Sequence, residues 1–97
     1  MERKPAVYLL ASRFHGVIYT GVTAHLPQRI FQHKQKLVEG FCQRYDVDRL
    51  VWFELHIDMY NAICREKQIK TWKRAWKIKM IEAENPDWKD LYPDILG

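Results

Sequence analysis

The sequence predicts an α+β fold, a three-stranded sheet with about three helices around it. Three observations lead there. Residues 5–12 and 17–23 are rich in Val, Ile, Leu, Tyr and Thr, as strands are, and only residues 13–16, ending in Gly16, separate them. So short a link makes them an antiparallel hairpin. Residues 49–56 (RLVWFELH) form a third strand with apolar side chains on both faces, which calls for helices on both sides of the sheet. The rest of the chain carries helical periodicity over 26–37, 59–72 and 74–84.

The hairpin holds Ala6-Val7-Tyr8 and Tyr19-Thr20-Gly21, with ten residues between the tyrosines. Strand side chains alternate, so Tyr8 shares a face with Leu10, and Tyr19 with Val17 and Gly21. A suitable register puts both phenols on one face. Packing is the commoner fate of such tyrosines.

Along the first helix Leu26, Ile30 and Leu37 form one stripe, Pro27 being tolerated in a first turn. His33 falls in that stripe and Arg29 sits on its edge, one turn earlier. Residues 38–48 read as a surface loop with Arg44 and Tyr45 near its end. In the third strand, strict alternation sets Leu50, Trp52, Glu54 and His56 on one face and Val51, Phe53 and Leu55 on the other.

Asp58 can cap the next helix. Met59, Ala62 and Ile63 define its inward face, and Glu66 falls on that face. A buried carboxylate needs a cation, a metal or an opening to solvent. A lysine or arginine partner is the plain reading, a metal ligand the functional one. The helix over 74–84 turns Trp76, Met80 and Ile81 inward, and Asn85-Pro86 ends it. Whether the chain breaks at 72–74 is open. In the tail, Trp88, Leu91, Tyr92 and Ile95 recur every three or four residues, as in one or two helical turns packed on the domain.

Ninety-seven residues make one domain, 1–97, with a modest core. A hydrophobic fraction of 47% with four tryptophans excludes a disordered chain, and no apolar run is long enough to span a bilayer. The start, Met-Glu-Arg-Lys-Pro, has no signal-type apolar segment, so a cytoplasmic location is expected. Cys42 and Cys64 lack metal-type spacing and are expected as free thiols.

The net charge of +4 is unevenly spread. Residues 65–79 carry seven basic side chains (Arg65, Lys67, Lys70, Lys73, Arg74, Lys77, Lys79) and one acid, Glu66, with Trp72 and Trp76 among them. Such a block suits nucleic acid or a solvated helix face equally well. Residues 82–94 hold five acids and one base.

The order AVY, ten residues, YTG, then Arg29 and His33 on one helix and Glu66 on a later one resembles the GIY-YIG nuclease domain over about residues 5–80. The stretches GVTAHLPQRIFQHK, GFCQRYDVDRLVWFE, AICREKQIKTWKR and ENPDWKDLY resemble its small, stand-alone, single-domain members. The resemblance implies an antiparallel three-stranded sheet and a metal-dependent endonuclease acting on DNA, in repair or recombination, with one Mg²⁺ or Mn²⁺. By position it makes Tyr8, Tyr19, Arg29, His33 and Glu66 catalytic, and Glu66 the metal ligand. Tyr8 would activate water, Tyr19 position water or phosphate, Arg29 hold a phosphate oxygen, and His33 orient a tyrosine or relay a proton. Ala6 and Thr20 depart from the family tripeptides without removing a reacting group. Arg65, Lys67, Lys70, Lys73, Arg74 and Lys77 would carry DNA affinity, and a dimer or partner protein would help so small a domain grip a duplex. The alternative is a nucleic-acid-binding module without useful catalysis.

Overall fold

The computed structural model describes residues 4–96. Gly97, the last residue of the predicted helical tail, lies outside them. The elements run β1 (Ala6–Ala11), β2 (Ile18–Thr23), α1 (Leu26–Lys34), α2 (Phe41–Tyr45), β3 (Arg49–Leu55), α3 (Met59–Lys70), α4 (Arg74–Glu84) and α5 (Tyr92–Ile95). The sheet order is β2-β1-β3, antiparallel throughout. β1 is central, and all six of its residues are buried.

Two cores result, one on each face of the sheet. Ala6, Tyr8 and Leu10 pack with Leu50 against Leu26 and Ile30 of α1, with Cys42, Val47 and Ile95. Val7, Leu9 and Ala11 pack with Val51 and Trp52 against Ala62 and Ile69 of α3, Ile81 of α4, and Trp88. Apolar layers on both faces are what a central strand with no polar alternation demands.

Strict alternation fails in β3. Leu9 pairs with Trp52 but Leu10 with Leu50, so a bulge sits at Val51. The extra residue shifts the facing, so that Leu50 joins one core while Val51 and Trp52 both join the other. Both neighbours are apolar, so the sequence gives no sign of the slip.

Asp58 caps α3, its side chain accepting from Asn61 N–H at 2.8 Å. The chain breaks between α3 and α4, with Thr71 ending one and Lys73 preceding the other. Three predicted inward residues lie outward: Leu37 at 66% exposure, Trp76 at 58% and Ile63 at 37%. α1 stops at Lys34, and Lys36 adopts a left-handed φ of 60°, which turns Leu37 off the stripe. Ile81 and Trp88 fill the space below α4 that Trp76 was expected to fill. The loop over 38–48 contains the short α2 and leaves Arg44 and Tyr45 exposed. Both cysteines are free, Cys42 buried and Cys64 exposed. No described helix is long and apolar enough to cross a membrane.

Candidate active site

The hairpin register places Tyr8 opposite Gly21 and Tyr19 opposite Leu10, so the two phenols are diagonal neighbours on one face. Their ring centroids are 6.4 Å apart. Gly21 makes this possible: a Cβ there would run into the Tyr8 ring and hydroxyl. The glycine of the YTG tripeptide is thus the floor on which Tyr8 lies.

α1 covers that face and brings His33, which is buried, between the tyrosines. Its ring lies 5.9 Å from that of Tyr8 and 6.0 Å from that of Tyr19. The Tyr8 hydroxyl and His33 Nε2 are 3.2 Å apart. Burial pushes the phenol up to about 12, against the pull of the Arg29 guanidinium beside its oxygen. Burial also brings the imidazole down to about 4, helped by the Arg29 charge. Both groups are therefore neutral at pH 7, and the imidazole tautomer sets which of them donates. In this resting arrangement Tyr8 is not a ready base.

Arg29 sits one turn before His33 on α1. Its Nη1 reaches Gln32 Oε1 at 3.4 Å, while its buried Nε has no hydrogen-bond partner. An unmet guanidinium donor is costly and suits an anion. Arg29 also lines a cleft of about 260 Å³ with Val22, Thr23, Ala24, His25, Gln28 and Gln32. The tyrosines, His33 and Glu66 do not line it.

The two site helices pack on opposite faces of the sheet. α3 lies on the face away from Tyr8 and packs against β1 and the edge strand β2. Its Glu66 is 8% exposed, and the carboxylate pairs with Lys70, one turn on, at 2.7 Å. Lys70 is half exposed, and the Tyr19 phenol lies within electrostatic reach of it. The structure thus gathers Tyr8, Tyr19, His33 and Arg29 in one cluster and brings the Glu66–Lys70 pair to Tyr19 from around the sheet.

The model of the GIY-YIG catalytic domain matches residues 4–79. The chain belongs to the GIY-YIG family. This is a family of nucleases, which generally use divalent metals and act on DNA. No curated protein and no solved structure matches the chain.

The GIY-YIG assignment directs attention to what could hold a cation. No group of three or more His, Cys, Asp or Glu side chains gathers among the described residues. Zinc, which wants three or four protein ligands, does not suit this donor set. A hard ion that keeps most of its waters and takes one or two carboxylates does. Glu66 fits that role provided Lys70 yields, and an exposed lysine on a flexible stem can swing away.

Several residues of the basic block already have partners. Arg65 Nε pairs with Glu54 at 3.1 Å and its guanidinium lies over Trp72. Arg74 Nη2 donates to the carbonyls of His15 and Gly16 at 2.7 and 2.8 Å, tying α4 to the hairpin turn. Lys67 and Lys73 are exposed, and Lys77 is half-buried. Sequence reasoning did not single out His25, Gln28 and Gln32 in the Arg29 cleft. The spacing of Gln28 and Gln32, one on each side of Arg29 at i,i+4, was the available signal.

Proposed function

We propose that this GIY-YIG domain is a divalent-metal-dependent DNA endonuclease, with Tyr8, Tyr19, Arg29, His33 and Glu66 as its catalytic residues. The observation that carries the reading is the cluster itself. Two phenols and an imidazole meet within about 6 Å, beside an arginine with an unmet donor. A core built only for stability would not spend four polar groups on one end of a sheet face.

Bound at Glu66, Mg²⁺ or Mn²⁺ would supply Lewis-acid stabilisation of the phosphoryl and leaving oxygens. Arg29 holds a phosphate oxygen and meets the charge that grows in the transition state. Tyr8, neutral at rest, takes a proton from the attacking water as it hands its own to His33 Nε2, 3.2 Å away. Burial keeps the His33 ring uncharged near neutral pH, so it can accept only as the water's proton reaches Tyr8 in the same step. Tyr19, between this pair and Lys70, orients water or phosphate. The basic residues of α3 and α4 that remain exposed hold the DNA backbone, and a second copy or a partner protein lengthens the grip on a duplex. Repair or recombination is the setting we assign, with a cytoplasmic location.

One observation favours the competing reading, a binding module without catalysis: Glu66 is already neutralised by Lys70. Cleavage assays separate the two. Single-stranded, duplex, flapped and branched DNA are incubated with Mg²⁺, with Mn²⁺ and with EDTA. The proposal expects cutting of at least one substrate with metal and none with EDTA. Binding across the panel with no cutting at millimolar metal would favour the module.

A further inference from the structure

We propose that the groove between Trp72 and Trp76 is a stacking site for an unpaired nucleobase, so that the domain selects strands with bases out of the duplex. The identity of the ligand rests on the nuclease reading above. The support comes from residues outside the catalytic cluster.

Trp72, Trp76, Lys79, Met80 and Ala83 line a groove of about 380 Å³, within the range of small-ligand pockets. Trp76 is 58% exposed although α4 has a core-facing residue in Ile81. The two indoles meet edge to face, centroids 6.1 Å apart at 72°. Trp72 is held by the Arg65 guanidinium, 5.3 Å from its ring and itself fixed by Glu54. One aromatic wall is therefore braced, and the other is open to solvent.

The charge around this wall selects the occupant. Lys73, Lys77 and Lys79 interleave with the tryptophans, and residues 67–81 contain no acid. An apolar peptide would gain nothing from those lysines, and a second copy of this chain would bring only its short acidic stretch, 82–94, to meet them. A nucleotide uses both features, its base stacking on indole and its phosphates meeting the ammonium groups. Bases inside a duplex are already stacked and cannot enter, which confines the ligand to flaps, loops or single strands. The groove follows the Glu66–Lys70 pair directly in the chain, Trp72 being two residues past Lys70, at most about 8 Å along it.

The test titrates the protein into a labelled oligo-dT strand, and into an abasic strand of equal length, in EDTA. Trp76→Ala should bind oligo-dT about tenfold more weakly, with most of the affinity kept by Trp76→Phe. The abasic strand should not distinguish Trp76→Ala from wild type. Equal binding of oligo-dT by Trp76→Ala and wild type would overturn the proposal. So would an equal loss on the abasic strand, or a sedimenting dimer that Trp76→Ala dissociates while strand binding stays constant. Circular dichroism verifies folding, and the exposed Trp76 can be replaced without opening the core. A wild type that binds through Trp76 yet cuts no DNA supports the groove and overturns the nuclease reading alone. A wild type that cuts while Trp76→Ala binds normally does the reverse.

Discussion

Glu66→Gln should lower DNA cleavage by about a thousandfold, roughly 4 kcal/mol of transition-state stabilisation, while DNA binding and the melting transition stay close to wild type. The change is isosteric and preserves an oxygen for the Lys70 ammonium, which now holds the carboxylate at 2.7 Å. It removes the charge that a hard cation requires. Among the described residues no group of three or more His, Cys, Asp or Glu side chains gathers to take its place. The rate of cutting is read on whichever substrate the wild type cleaves best, beside a binding isotherm in EDTA. Full activity in Glu66→Gln would remove the metal from this position.

The second large effect is on stability and concerns His33. Its imidazole is down to about 4 in the fold against 6.5 when free, chiefly through burial. The unfolded chain thus binds a proton between those values that the native chain refuses. A base whose folded value is depressed in this way makes stability fall as the pH drops from about 6.5 towards 4. The single group contributes about 3 kcal/mol of that loss, on the order of a third of a small domain's stability. Other groups titrate in the same range, so the comparison is between wild type and His33→Gln. Urea midpoints at pH 7 and pH 4 should converge for the variant and spread for the wild type. Equal pH dependence in the two proteins would show that His33 takes up its proton in the fold without cost. The same burial fixes the chemistry proposed for the Tyr8–His33 pair, because an imidazole already charged at pH 7 cannot accept a phenol's proton.

Much of this was legible in the chain. The hairpin announced itself because β-branched and aromatic residues run up to a short turn, and pleating then put both phenols on one side. Glu66 stood out because a carboxylate on an apolar stripe is physically anomalous, and its plain explanation was also stated: a lysine partner, which Lys70 provides. What the residues did not show was handedness and slip. Helical periodicity says that Ala62, Glu66 and Ile69 share a face, but not which side of the sheet that face covers. The bulge at Val51 was invisible since Leu50, Val51 and Trp52 are all apolar, so shifting the register by one cost no polar exposure. Trp76 lost its inward place for a similar reason. Trp88, distant along the chain and entirely buried, fills that space with an indole of the same size. Such competitions between equivalent apolar side chains are settled by tertiary packing, which no local pattern records.

A Mn²⁺-soaked crystal examined for anomalous scattering tests most directly whether a hard divalent ion binds at Glu66 beside Tyr19. One peak is expected at the Glu66 carboxylate, with the Lys70 ammonium turned away to solvent. A saturated crystal that shows the Glu66–Lys70 pair intact and no peak beside it would contradict the account.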